Sequence, residues 1–169
     1  MVLIVLALLV LALAGAVYLL VDGVQNRVNA NAAPPPPRTA ELTAAIAFDP
    51  EGGDGEHDGE VSLATDGDPG THWSTETYQD FVKSGVGIVL EAEPAAALDE
   101  LKVTTDGSDF PAKIRASNDQ GGPFVDVSGV QTVRGETTFD LDTDDRAFRY
   151  YLVWLRLPDG GVAHVNEVR

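Results

Sequence analysis

Residues 39–169 consist of short apolar stretches separated by turn residues, and no window has the apolar spacing of an amphipathic helix. Several short strands joined by turns predict an all-β, antiparallel β-sandwich. Pro94 is expected to end the second strand, because proline donates no ladder hydrogen bond. The predicted strands are 42–48, 85–91, 98–105, 113–117, 124–127, 137–141, 149–157 and 162–168.

The strand predicted at 149–157 is the longest, and both of its faces are apolar. One face carries Tyr151, Val153 and Leu155. The other carries Tyr150, Leu152 and Trp154. A strand that is apolar on both faces is covered on both sides, so we predict a central strand.

The first residues are of a different kind. Residues 2–21 are apolar except at Gly15 and Tyr18, and about 20 such residues in a helix cover the roughly 30 Å hydrocarbon core. We predict a transmembrane helix over 1–21. A secretory signal peptide is the alternative, because residues 14–16 are small enough for cleavage, but the basic segment that precedes such a peptide is missing.

Residues 22–38 follow as a predicted Pro-rich stalk. Four consecutive prolines at 34–37 favour an extended polyproline II segment, although a linker without a spacing role fits equally well. Arg27 and Arg38 follow the span and no basic residue precedes it, which by itself favours a cytoplasmic C-terminal part. The abruptly apolar start suggests that the chain is the end part of a longer protein.

The predicted domain, residues 39–169, is strongly acidic. The whole chain has 11 basic and 27 acidic residues, and Asp22, Arg27 and Arg38 lie before the domain, which leaves 9 basic and 26 acidic residues and a net charge of −17. Such a surface repels nucleic acid and anionic lipid and favours divalent cations. The chain has no cysteine, which excludes disulfides and thiolate metal sites.

Six segments in order resemble the discoidin, or coagulation factor 5/8 type C, family. The most specific is Ala-Thr-Asp-Gly-Asp-Pro-Gly-Thr-His-Trp-Ser at 64–74. The others are 87–90, 101–103, 113–120, 150–154 and 165–168. The resemblance implies a galactose-binding-like jelly-roll sandwich that binds ligands and catalyses nothing.

Segments 48–52, 75–78 and 83–87 make a closer likeness, to the sandwich that ends some bacterial receptor-type serine/threonine kinases and pseudokinase-bearing lipid-flippase proteins. This likeness implies a single-pass cell-membrane protein whose C-terminal domain is extracytoplasmic and binds a glycan or cell-wall component. A protein-binding adhesion or scaffold module is the alternative. No kinase core is present, since residues 109–111 read Asp-Phe-Pro instead of Asp-Phe-Gly.

A calcium site is predicted in segment 64–74. Asp66, Asp68 and Thr71 can supply the oxygen ligands that calcium prefers. The resemblance adds the carbonyl of Leu63 and the carboxylate of Glu167, and it implies a structural ion that joins an early loop to the last strand. The alternative is an Asp-Gly-Asp-Pro turn whose carboxylates accept backbone N–H groups.

Other candidate residues are weaker. Tyr78, Phe81 and Phe110 fall between predicted strands and are the predicted exposed ligand contacts. Trp73 and Trp154 are expected in the core. The acidic loop over 49–60 is expected to be solvated, although a second cation is the alternative.

The three histidines, His57, His72 and His164, lack the sequence spacing of a zinc site, although fold closure could bring His72 and His164 together. No serine lies in a nucleophile-elbow context, so no catalytic residue is predicted.

Overall fold

The computed structural model describes residues 35–52 and 55–169, in which eleven β-strands and one 3-10 helix, Asp58–Thr65, are found. The strands are β1 (Glu41–Phe48), β2 (Trp73–Ser74), β3 (Val86–Ala96), β4 (Glu100–Thr104), β5 (Phe110–Ser117), β6 (Val125–Asp126), β7 (Gln131–Val133), β8 (Glu136–Asp140), β9 (Phe148–Leu155), β10 (His164–Val165) and β11 (Glu167–Val168).

All strand pairs are antiparallel. The larger sheet has the order β1-β3-β9-β5-β6, and β7 also pairs with β5. A three-stranded sheet, β11-β4-β8, and a two-stranded pair, β10-β2, complete the fold. Residues of both sheets contribute to one buried core, including Val86 and Ile88 of β3 and Leu101 and Phe139 of the smaller sheet. The predicted antiparallel β-sandwich is therefore confirmed.

Strand β9 is central, as predicted from its two apolar faces. It pairs with β3 on one side and β5 on the other. Tyr151, Val153 and Leu155 are fully buried in the main core. Leu152 points to the opposite face, where it packs with Val89 in a second apolar cluster.

The pairing of β3 with β9 depends on a glycine. Gly87 lies opposite Trp154 in the register, and a Cβ atom at this glycine would lie 2.0 Å from the carbonyl oxygen of Val153. A side chain there would push the two strands apart. The absence of a side chain at this position therefore permits the central pairing.

The prediction that Pro94 ends its strand is wrong, because β3 continues to Ala96. The pairing of β3 with β9 is interrupted between Glu91 and Ala96, and Pro94 is exposed within that interruption. Pro94 therefore lies where the ladder to β9 requires no donor.

Three elements were not predicted. Strands β2 and β7 are only two and three residues long, and the 3-10 helix Asp58–Thr65 begins within the last residues of the region expected to be a solvated acidic loop. Val61 and Ala64 of the 3-10 helix are buried in the core. This helix is stabilised by the packing of these two apolar side chains against the core. Two apolar residues in an acidic segment are too few to show a hydrophobic period, so the sequence did not indicate the helix.

Pro36–Arg169 forms one compact unit, which begins slightly before the predicted boundary at residue 39. The carbonyl of Pro37 accepts a 2.7 Å hydrogen bond from the N–H of Ala97, and Arg38 forms 2.5 Å ion pairs with Asp99 and Asp145. The predicted span over 1–21 lies outside the described residues. Among the residues that are described, no helix combines the length and hydropathy needed to cross a membrane.

We expect Gly87→Ala to lower the free energy of unfolding by about 3 kcal/mol or more, because the new methyl group overlaps the backbone of β9. Gly129→Ala is the matched control, since a Cβ atom there meets nothing within 4 Å. Urea unfolding followed by tryptophan fluorescence measures both values. Equal stabilities of the two variants would contradict the role given to Gly87.

Candidate functional site

The register gathers several loops at one end of the larger sheet. Phe48, the last residue of β1, pairs with Gly87 near the start of β3. Leu155, the last residue of β9, pairs with Val86 of β3 and with Ala112 of β5. Several segments extend from this end of the sheet or lie beside those that extend from it. We call them the loop rim, and they are 49–52, 55–57, 75–85 and 156–161.

A buried carboxylate connects the loop rim. Glu56 is 1% exposed, its carboxylate accepts hydrogen bonds from the Tyr78 hydroxyl and from the N–H of Glu76, and its carbonyl accepts a 2.5 Å bond from the indole N–H of Trp73. The Lys83 ammonium lies 3.8 Å from this carboxylate and 2.6 Å from Asp49. Glu56 therefore joins segments 55–57 and 75–85 of the rim, and Lys83 extends the network to Asp49 in segment 49–52.

Burial is the main cause of the altered acidity in this network. It raises the pKa of Glu56, while hydrogen bonds from Tyr78 and Glu76 and the charge of Lys83 act in the opposite direction. The pKa of Tyr78 is also raised, first by burial and then by its hydrogen bond to Glu56. The Tyr78 hydroxyl therefore stays protonated and remains a donor to the carboxylate.

The structure corrects two of the three predicted exposed contacts. Phe110 is 1% exposed, because it begins β5, pairs with Val133 and faces the core. Tyr78 is also buried, because its hydroxyl is bound to Glu56. Phe81 is partly exposed and packs edge-on against Tyr78 with ring centroids 4.9 Å apart. The neighbouring Val82 is 86% exposed, so this loop presents apolar atoms to solvent.

A groove of about 240 Å³ lies on the outer face of the larger sheet, next to the loop rim. Its lining residues are Ser84, Pro111, Ala112, Lys113, Val130, Trp154 and Arg156. Trp154 is only partly buried, in contrast to Trp73, which is fully buried in the core as predicted. The expected core position of Trp154 is therefore corrected, because its strand turns this side chain to the outer face.

One cationic side chain lies over the Trp154 ring, and two others line the groove beside it. The guanidinium of Arg115 lies 5.6 Å from its centroid, and Lys113 forms a 2.6 Å ion pair with Asp126. Arg156 is exposed, and among the described residues its side chain has no ion-pair partner. Sequence reasoning missed Lys113, Arg156 and Ser84, although alternation along β5 places Lys113 on the same face as Arg115.

The predicted calcium residues form a closed turn. The two oxygens of the Asp66 carboxylate accept hydrogen bonds from the N–H of Asp68 and from the Thr71 hydroxyl, at 2.8 and 2.9 Å. The Asp68 carboxylate accepts a 2.9 Å bond from the N–H of Gly70. Leu63 lies in the 3-10 helix that leads into this turn. These hydrogen bonds are the ones expected of the alternative to a calcium site, which is a turn whose carboxylates accept hydrogen bonds from the turn itself.

Glu167 joins this turn from the last strand. Glu167 is only 6% exposed, and its carboxylate accepts a 2.8 Å hydrogen bond from the N–H of Gly67. Burial, and then the neighbouring charge of Asp66, raise the pKa of Glu167, whereas the N–H of Asp68 and the Thr71 hydroxyl lower the pKa of Asp66. The structure thus brings together two carboxyl groups of which one is buried, an arrangement that a bound cation would stabilise.

The histidines separate into two groups. The rings of His72 and His164 stack in parallel with centroids 3.9 Å apart, as fold closure allowed, and Asp106 lies 3.1 Å from Nδ1 of His164. His57 is not part of this cluster, and its Nδ1 atom lies 3.0 Å from the carbonyl oxygen of Ser74, the residue that pairs with His164. Asp106 could not be identified from sequence, because only the pairing of distant segments brings it to the histidines.

No protein-family model matches the chain. Solved structures do match. The family 32 carbohydrate-binding module of Clostridium perfringens NanJ, in complex with galactose, is 20% identical, has a TM-score of 0.53 and aligns over 76% of this chain and 91% of that chain. The CBM32-5 module of CpGH89 from Clostridium perfringens, in complex with GalNAc-β-1,3-galactose, is 17% identical, with a TM-score of 0.52 and coverage of 75% and 91%.

A third match is the CBM32 module of AlyQ in complex with 4,5-unsaturated mannuronic acid. It is 16% identical, has a TM-score of 0.52 and aligns over 75% of this chain and 90% of that chain. The chain therefore has the discoidin-like, galactose-binding-like sandwich fold of these modules. The closer likeness to kinase and flippase proteins stays a prediction.

We expect Glu56→Ala to lower the free energy of unfolding by about 3 kcal/mol, because the N–H of Glu76 and the Tyr78 hydroxyl lose their acceptor inside the protein. Tyr78→Phe removes only one of these donors and should lower it by about 1 kcal/mol. Chemical denaturation of both single variants and the double variant measures the coupling. Strictly additive losses would contradict a shared network.

Proposed function

We propose that the chain is a membrane-anchored, extracytoplasmic binding module that recognises a glycan or cell-wall component and catalyses no reaction. The observation that carries the proposal is the groove beside Trp154, where a partly exposed indole ring lies among hydrogen-bond donors. The proteins with the same fold support it, since their structures hold galactose, GalNAc-β-1,3-galactose and an unsaturated mannuronic acid.

The groove has the chemistry that sugar recognition requires. The C–H face of a pyranose ring is apolar and packs on an aromatic side chain, while its hydroxyls need polar partners around the rim. Trp154 offers the aromatic surface, and Ser84 and Arg156 offer donors in the lining of the same groove. Because Arg156 has no ion-pair partner among the described residues, a ligand oxygen does not have to displace a carboxylate from its guanidinium.

The proposal places the sandwich beside a membrane, on its extracytoplasmic side. The predicted span over 1–21 and the Pro-rich segment that follows would hold the sandwich near a membrane. The extracytoplasmic side follows from the resemblance to the C-terminal domains of bacterial receptor-type kinases. A glycan of the cell wall is the ligand class that such a position makes available.

We expect Arg156→Ala to weaken glycan binding about tenfold, because it removes a charge-assisted hydrogen bond from the groove. Arg146→Ala is the matched control, since Arg146 lies at the other end of the larger sheet, where it packs over Phe148. A glycan and peptidoglycan-fragment array identifies the ligand, and isothermal titration then measures the affinities of the wild type and both variants.

Phe81→Ala separates the two candidate surfaces. Loss of binding in this variant, with full binding in Arg156→Ala, would move the ligand from the groove to the loop that carries Phe81 and Val82. Binding to a protein and to no glycan would contradict the proposal and favour the adhesion or scaffold alternative.

We further propose a structural calcium ion at the Asp66 turn. Asp66, Asp68, Thr71, Glu167 and the carbonyl of Leu63 would hold it. Calcium accepts carboxylate and carbonyl oxygens, and its charge would offset the two carboxyl groups that meet when Glu167 is buried beside Asp66. The ion would join the early turn to the last strand.

In metal-free protein the raised pKa of Glu167 makes the protonated form the one that folding favours. This stabilising contribution is complete below the ordinary glutamate pKa of about 4.3 and is lost as the pH rises through the higher folded-state pKa. Glu167→Gln should therefore raise the melting temperature of the chelator-treated protein at pH 7, because the buried charge is removed.

Saturating calcium should raise the melting temperature of the wild type by about 5–10 °C and leave Glu167→Gln nearly unchanged. Asp119→Asn is the control, because Asp119 caps a similar turn through Gly121 far from Glu167. Differential scanning calorimetry with and without calcium measures both effects. If calcium does not stabilise the wild type, the calcium site is contradicted and the Asp66 segment is a turn held by hydrogen bonds alone.

A further inference from the structure

The two stacked histidines lie where the early and late parts of the chain pair. His72 immediately precedes β2, and His164 begins β10, in a ladder that pairs Trp73 with Val165. In this register His72 lies opposite Asn166 and diagonal to His164, on the same face of the ladder. Closure of the sandwich therefore sets the distance between the two imidazole rings.

Asp106 is brought to the same place by Asn166, which is fully buried. Its side-chain oxygen accepts a 3.0 Å hydrogen bond from the N–H of Asp106, and its side-chain nitrogen donates a 2.9 Å bond to the carbonyl of Pro69. Pro69 lies three residues before His72. One buried amide thus fixes the backbone of two segments that carry metal-ligating side chains.

We propose that His72, Asp106 and His164 bind a divalent transition-metal ion of the zinc class. Each residue offers one ligand atom, and these three atoms lie within 4.8 Å of one another. A zinc ion with bonds of about 2.0–2.2 Å needs its ligands nearer to one another than this, so the rings turn out of their parallel stack when the ion binds.

The unsatisfied nitrogen of His72 is the second observation. Its Nδ1 atom is buried and has no hydrogen-bond partner among the described residues. A buried polar atom without a partner costs about 1–3 kcal/mol. A metal ion bound to this nitrogen would remove the cost, because a neutral imidazole nitrogen is a preferred zinc ligand.

The ligand set determines the kind of ion. Two imidazoles and one carboxylate suit zinc, cobalt, nickel or copper, whereas calcium and magnesium prefer oxygen ligands alone. Without the ion, His164 and Asp106 already lie in contact, with Nδ1 of His164 3.1 Å from the Asp106 carboxylate, so two of the three ligands are held together. This site is therefore chemically distinct from the calcium site proposed at Asp66, and it does not depend on the glycan function.

The test uses the full chain, stripped with a chelator and then held in saturating calcium so that oxygen sites are occupied. Zinc is titrated by calorimetry, and cobalt is titrated by visible absorption, whose intensity distinguishes a four-coordinate protein-bound ion from the six-coordinate ion in water. We expect one zinc ion per chain with a Kd of about 1–10 µM and a rise in melting temperature. His72→Gln and His164→Gln should each weaken zinc binding at least about tenfold.

His57→Gln is the matched control and should bind zinc as the wild type does, since His57 supplies no atom to the group of three ligands. Glu167→Gln should also bind zinc normally, which separates the two metal sites. Metal-free melting temperatures of the histidine variants close to that of the wild type show that they fold. No zinc heat and no cobalt spectrum, or binding that survives in both His72→Gln and His164→Gln, would overturn the proposal.

Discussion

The pairing of an early turn with the last strands closes this sandwich. Trp73 pairs with Val165, Glu167 accepts from the N–H of Gly67, and Asn166 donates to the carbonyl of Pro69. These three contacts join residues about one hundred positions apart, so each of them closes a long loop of chain. They also enclose the fully buried Trp73, whose indole N–H reaches the carbonyl of Glu56.

Closure also concentrates polar chemistry along one seam. A chain with so many acidic residues can bury a carboxylate only where donors or cations compensate its charge. Glu56 has Tyr78 and Lys83, whereas Glu167 has a backbone N–H and faces the like charge of Asp66. The first network is satisfied within the protein. The second is the one that an added cation would complete, and the same seam brings the two stacked histidines together.

The architecture could be predicted from sequence because its signals are local. Alternating apolar residues marked most strands, and the two apolar faces of β9 indicated its central position before any pairing was known. The early turn that carries Asp66 and the late Glu167 were placed side by side by resemblance to a family. Residue types alone could not do this, since an Asp-Gly-Asp-Pro turn has the same sequence with or without a metal.

The errors share a physical cause, which is that burial of a loop residue is decided by distant contacts. Phe110 was expected in a loop but begins a strand that pairs with Val133. Tyr78 was expected to be exposed, but the acidic residue that buries it, Glu56, looked like one of several solvated carboxylates. Asp106 and Arg156 do not belong to any sequence motif that would have marked them as functional. Their candidate roles arise only from the neighbours that the fold provides.

The groove follows from the same property that made β9 central. An apolar outer face on the larger sheet has to be covered, and here the cover is partial. Phe124 packs over Val89 and Leu152, and Gly85 lies so close to Trp154 that a Cβ atom would come within 2.3 Å of the ring. Between Phe124 and Gly85, part of the Trp154 indole remains exposed to solvent. A sheet whose second apolar face is left partly open in this way has a ready surface for an amphipathic ligand, and a sugar ring is such a ligand.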